Sequence, residues 1–185
     1  MPIIRIVYAY TTVFFVGKGK EMSKEMWHNK NIVKAGGNYM EIVVSEGLTA
    51  DSRQIRNEVF VEEQGFVHEF DETDLRAVHA VLYIDGTPQA TGRIFPKPGD
   101  ASTYILGRIA VRKTARGTGL GSAIMRTLEQ HAAACGAEKT ELLAQVQAQP
   151  FYESLGYTAC GEVVYDEGCP HIWMQKRTGC KGRNA

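Results

Sequence analysis

Hydrophobic and polar positions change rhythm near residue 40. Before it, "GKGKEMSKEMWHNKNIVKAGGNY" keeps neither the period of a helix nor that of a strand. After it, Glu41–Glu46 reads as a strand, and Asp51 is an N-cap candidate for a helix in which Ile55, Val59 and Phe60 share a face. "AVHAVLYIDGTPQATGRIF" is two strands joined at Asp85-Gly86, a two-residue hairpin signal. Tyr104–Arg112 is a further strand that runs into a glycine-rich stretch. Leu120, Ile124, Leu128, His131 and Cys135 then recur three or four residues apart, one face of a helix closed by Gly136. "TELLAQV" reads as a strand, "PFYESLGY" as a short helix begun by Pro150, and "HIWMQK" as a last strand. The pattern predicts a mixed α/β sheet with helices packed on both faces.

The break in rhythm also divides the chain. Residues 1–39 read as a weakly ordered or loosely attached extension, 40–177 as the compact domain and 178–185 as a polar tail. The apolar run "IIRIVYAYTTVFFV" (Ile3 to Val16) contains Arg5 and is shorter than the ~20 residues of a spanning helix. The stretch "VGKGKEM" at its end offers no small-residue cleavage site for a signal peptide. A second reading starts the protein at Met40, because codons for Ala35-Gly36-Gly37 can spell a purine-rich ribosome-binding sequence. Both readings stay open on these residues.

Charge and cysteine use narrow the class. The 185 residues hold 21 basic and 21 acidic side chains, so no overall electrostatic footprint points to nucleic acid or to a membrane. The balance hides an excess of basic residues in the first 39 positions and of acidic ones in the rest. Cys135, Cys160, Cys169 and Cys180 form no Cys-x-x-Cys pair, and Cys169-x-His171 fits no usual zinc spacing, so we expect free thiols, a cytoplasmic setting and no metal.

Candidate chemistry lies in "VRKTARGTGLGSAIM". Gly117, Gly119 and Gly121 alternate just before a good helix, although glycine inside a helix costs up to about 1 kcal/mol relative to alanine. A strand-to-helix turn over Arg116–Ser122 points unpaired N–H groups outward at the positive end of the helix dipole. Glycines clear the approach and permit left-handed dihedrals, and Arg116 adds a cation, so the stretch reads as a phosphate cradle. Three patterns compete for it. A P-loop needs a lysine before Ser122, where Gly121 stands. A dinucleotide fingerprint begun at Gly117 needs Gly or Ala at 122 and belongs after the first strand of its domain. Arg/Gln-x-x-Gly-x-Gly/Ala is satisfied by Arg116, Gly119 and Gly121.

With "GRIAVRKTARGTGLGSAIM" and, downstream, "QAQPFYESLGY", the chain resembles the GNAT superfamily of acetyl-CoA-dependent N-acetyltransferases over about residues 42–176. "VFVEEQ", "DETDLRAVHAVLY" and "DEGCPH" make it most similar to the bacterial YjcF-like branch. The resemblance implies a GNAT-type acyl-CoA N-acyltransferase fold: a twisted, mostly antiparallel sheet with helices on both faces and a splayed cofactor cleft. It implies acetyl-CoA as co-substrate, held along the strand Ile109, Ala110 and Val111. The diphosphate then falls to the loop Arg116, Gly117, Thr118, Gly119, Leu120, Gly121 and Ser122. It matches Tyr152 to a tyrosine near the departing sulfur, and a phenol can protonate a thiolate. The alternative for Tyr152 is core packing beside Phe151, Leu155 and Tyr157.

Many members carry a glutamate on the strand before the loop, where this sequence has Leu106-Gly107-Arg108. Deprotonation of the amine is then left to ordered water or to Glu63, His79 or His171, which are also the tentative acceptor-binding residues. The acidic run Glu62, Glu63, Glu69, Asp71, Glu72 and Asp74 either draws a cationic amine to the site or forms a solvated loop. The function expected is acetyl transfer to a primary amine of a small molecule or peptide, with a homodimer left open. Its alternatives are a non-catalytic CoA-binding or sensing module and a nucleotide-dependent oxidoreductase using Glu138 or Glu141.

Overall fold

The computed structural model describes residues 29–35 and 38–178. Its strands are β1 (Asn29–Ala35), β2 (Asn38–Glu46), β3 (Val78–Ile84), β4 (Thr87–Lys97), β5 (Asp100–Val111), β6 (Lys139–Gln145), β7 (Thr158–Asp166) and β8 (Cys169–Arg177). They form one sheet in the order β1-β2-β3-β4-β5-β6-β8-β7. Only β5 and β6 pair in parallel; every other neighbouring pair is antiparallel. The parallel pair needs a crossover, which α2 (Leu120–Ala134) supplies. α1 (Ala50–Arg56) comes after β2, and α3 (Gln149–Ser154) after β6.

Both faces are covered, as the hydrophobic pattern predicts. Ile124, Leu128 and Ala132 of α2 bury one face with Ala80, Leu82 and Ile94 of β3 and β4. Ile55 and Val59 cover the other face over Val81 and Ala110. The β3–β4 hairpin turns at Asp85 (φ 48°) and Gly86 (φ 75°), two left-handed residues that suit the twist of the flanking strands.

Three local readings change. Thr49 rather than Asp51 caps α1: its Oγ1 accepts from the Ser52 amide at 3.2 Å, while Asp51 accepts from the Tyr83 hydroxyl at 2.6 Å. Beyond Arg56 the helix widens into π-type turns over Asn57–Glu63, which buries Val59 and leaves Phe60 at the cleft. β7 is a strand the pattern does not announce, because its positions are all exposed or half-exposed and show no alternation.

β1 lies in the stretch expected to be loosely attached, yet Asn29–Ala35 pair with Asn38–Val44 of β2. Gly36-Gly37, between them in sequence, is a two-residue hairpin signal. The apolar run Ile3–Val16, Cys180 and the tail from residue 179 lie outside the described residues. β1 occupies the sheet edge farthest from the parallel β5–β6 pair, so deleting residues 1–37 is expected to leave a cooperative thermal melt. Loss of the melt would make the N-terminal strand part of the folding unit.

Candidate active site

The site begins where two strands part. β5 pairs with β6 only from Thr103–Lys139 to Leu106–Leu142. On its other side, the register with β4 jumps from Thr91–Ala110 to Arg93–Gly107, so Arg108 and Ile109 together face Gly92. Arg108 takes a left-handed φ of 53° in this bulge, and the local twist steepens. Gly92 is required there. A Cβ would lie 2.6 Å from Ile109 Cδ1 and 2.8 Å from Ile124 Cγ2. Past the bulge, one backbone edge of β5 faces a cleft of about 530 Å³ instead of a neighbouring strand.

Ile109 and Val111 line that cleft, whereas the Ala110 side chain points to the opposite face, where it is buried with Ile55 and Val59. The loop beyond β5 makes a short 3₁₀ turn over Lys113–Ala115 and enters α2 through Gly119, its N-cap, at φ 87°. Gly117 is left-handed as well (φ 75°), and a Cβ at either glycine would point into open space. Among the described residues, no acceptor is bonded to the amides from Gly117 to Ser122. These are the orphan donors of the α2 N-terminus, and they line the cleft mouth at Gly117, Gly119, Leu120, Gly121 and Ser122. Thr118 turns aside, its hydroxyl donating to the Ala115 carbonyl at 2.6 Å. Arg116 donates to both carboxylate oxygens of Glu63 at 2.7 Å and to the Val111 carbonyl at 3.0 Å. The Arg116 guanidinium holds the Glu63 carboxyl below its usual range.

Tyr152 lines the cleft from α3, its ring edge-on to Phe151 at 4.9 Å and to Tyr157 at 6.2 Å. Burial pushes its phenol up to about 12. The phenol therefore keeps its proton throughout the neutral range. His171, on β8 opposite Gln145, lines the far wall under Phe66.

His79 does not reach the cleft. It is fully buried, hydrogen-bonded to Ser52 and to the Asp74 carbonyl, and burial lowers it to about 4. Its neighbours explain the acidic run between α1 and β3. Arg56, fully buried, donates to Glu69 and Asp74, each at 2.6 Å. Arg93 pairs with Asp71 and Asp74, and Arg108 with Glu69 at 3.0 Å. Three arginines thus balance three carboxylates, which satisfies charges too costly to bury alone. Of the run, Glu62 and Glu72 are exposed and stand outside these arginine pairs.

The matching family model is the acetyltransferase (GNAT) domain, over residues 60–178. The chain belongs to the GNAT acetyltransferase family. The uncharacterized N-acetyltransferase YjcF of Bacillus subtilis is 39% identical over 138 residues, covering 73% of this chain and 96% of YjcF. The crystal structure of Escherichia coli ElaA superposes with a TM-score of 0.66 at 28% identity, covering 74% of this chain and 99% of ElaA. An acyl-CoA N-acyltransferase from Pseudomonas aeruginosa gives the same TM-score, identity and coverage. This GNAT protein is a YjcF-like acyltransferase.

A GNAT sheet leaves no place for the dinucleotide alternative. Glu141, one of the two glutamates that alternative invoked, instead pairs with Lys97 and Lys139, each at 2.7 Å. Among the described residues, no three His, Cys, Asp or Glu side chains converge as metal ligands, and no helix is long and apolar enough to cross a membrane.

Sequence reasoning missed the roof of the cleft. Glu167, at φ 45° in the β7–β8 turn, accepts from the amides of Val67 and His68 at 2.7 and 2.8 Å. This ties two segments a hundred residues apart at the rim of the cleft. The Glu167-Gly168 pair signals the turn, but nothing in the sequence says which loop its carboxylate will hold.

Proposed function

We propose that this acyltransferase moves an acetyl group from acetyl-CoA to a primary amine of a small molecule or peptide, in the cytoplasm. One observation carries the proposal: free amides at a helix N-terminus, an unpaired strand edge and a half-buried tyrosine all line one cleft. In this reading the amides of Gly117–Ser122, with Arg116 once released from Glu63, hold the diphosphate. The freed edge of β5 offers backbone groups to an extended amide-bearing arm and an N–H to the oxygen on which charge develops. Tyr152 delivers its proton to the departing thiolate. Burial disfavours phenolate and thiolate alike, so the transfer stays better matched in the cleft than the raised phenol alone suggests.

Thermal-shift titration tests the donor. Acetyl-CoA and CoA are expected to raise the melting temperature by mass action, and NAD and ATP are not. A panel of amines, sugars, polyamines and peptides with thiol-release detection then tests the acceptor. Binding without release for any amine would favour a CoA-sensing module.

Glu63 adds a prediction. It occupies the guanidinium that this proposal assigns to the diphosphate. Glu63→Gln removes both the competing partner and a negative charge beside the loop, so acetyl-CoA is expected to bind severalfold more tightly at low salt, with a smaller gain at high salt. Weaker binding in a calorimetric titration would mean that Glu63 serves to orient Arg116.

A further inference from the structure

β5 brings no carboxylate to the cleft, and other titratable groups at the acceptor end are engaged or exposed. Glu63 is bound to Arg116, and His79 is sealed behind the sheet. Glu69 gives one oxygen to Arg56 and the other to Arg108. Both oxygens of Glu167 accept backbone amides. His68 and Asp166 line the cleft but are exposed to bulk water.

His171 differs from all of these. It is 7% exposed, and its Nδ1 lies 2.9 Å from the carbonyl oxygen of Cys169. A carbonyl oxygen only accepts, so Nδ1 carries a proton, and the lone pair of the ring's neutral form lies at Nε2. Among the described residues, Nε2 has no protein partner. The register explains why the ring borders the cleft. His171 lies opposite Gln145, three positions past Leu142, the last β6 residue that still pairs with β5. The β6–β8 wall at this point faces the gap left by β5, and Phe66 covers the ring edge-on at 6.4 Å.

We propose that His171 Nε2 is the general base of the acetyl transfer, a role that rests on acetyl-CoA being the donor and a primary amine the acceptor. A primary amine, with a reference pKa near 10, arrives as an ammonium and cannot attack until it loses a proton. His171 Nε2 takes that proton, while the Nδ1–H bond to the Cys169 carbonyl fixes the ring and stabilises the imidazolium. The neutral nitrogen forms the C–N bond as the C–S bond breaks, and Tyr152 protonates the sulfur. The second nitrogen proton returns through water to the Tyr152 oxygen, and the imidazolium gives its proton to solvent. The products are the amide, the thiol and one released proton.

Two measurements on the full chain test this. In ¹⁵N-labelled protein saturated with CoA, His171 is expected to show the Nδ1–H tautomer, a readout that needs no acceptor; an Nε2–H tautomer would overturn the proposal. His171→Asn keeps an N–H for the Cys169 carbonyl and removes the base. With the amine turned over best on the panel, its kcat is expected to fall about 10²-fold or more at unchanged acetyl-CoA affinity. The loss should shrink toward parity for an electron-poor amine that is already neutral at the assay pH, because that acceptor needs no base. An equal loss for both amines, or parental turnover, would overturn the assignment; His171→Gln supplies the comparison if the asparagine variant does not fold. Absence of turnover in the parent protein with every amine would count against the transfer itself, a result distinct from either.

Discussion

Gly119→Glu is expected to abolish acetyl-CoA binding, raising Kd by about 10²-fold or more, which corresponds to at least about 2.7 kcal/mol. Gly119 is the N-cap of α2 at φ 87°, and its missing Cβ faces open space at the cleft mouth. A side chain there covers the amides that have no acceptor, and its carboxylate competes for the same donors and repels a diphosphate. Left-handed backbone costs a non-glycine residue about 1–2 kcal/mol, so some fall in melting temperature is expected too. Gly119→Asn separates the two effects, because asparagine tolerates that backbone and brings no charge. It should lose less stability than Gly119→Glu and retain measurable binding. Parental affinity in Gly119→Glu would remove the loop from the donor site.

Tyr152→Phe is expected to keep acetyl-CoA affinity and lower kcat by roughly 10²–10⁴-fold, the usual contribution of a general acid. The ring remains to pack against Phe151 and Tyr157, so ground-state binding and stability should change little. The sign of the pH effect comes from burial. The phenol acts while protonated and loses its proton only near pH 12, so the parent keeps its acid across the assay range. The ratio of parent to variant kcat should therefore stay flat between about pH 7 and pH 10. A loss confined to KM would make Tyr152 a binding residue. Full activity would return it to the hydrophobic core and leave sulfur protonation to water.

The glycine turn and the short helix that carry these two residues were legible because their signals are local. Glycines at alternate positions before a helical period mark a turn whose amides are free, whatever the rest of the chain does. The α2 face, the Asp85-Gly86 turn and the strand before the loop are readable for the same reason, since hydrophobic period and turn chemistry are set within a few residues. The edge strands were not. β7 has no buried face to impose alternation, and its register breaks between Ala159 and Val163, around the left-handed Gly161. β1 offers only Ile32, Val33 and Ala35 in a run otherwise made of Asn and Lys.

By itself, the sequence determined the central alternation of strands and helices, the glycine turn from Arg116 to Ser122 and the aromatic block around Tyr152. Tertiary structure decided which polar groups are spent and which are free. Glu63, Glu69, His79 and His171 all read as candidate polar residues along the chain. Packing then sent Glu63 to Arg116, Glu69 to Arg56 and Arg108, and His79 behind the sheet. It left His171 on the open wall with its tautomer set by a carbonyl two residues away. The physical reason is that a charge or lone pair acquires its role from partners within a few ångströms. For Glu63 and Arg116, such partners are more than fifty residues apart in the chain.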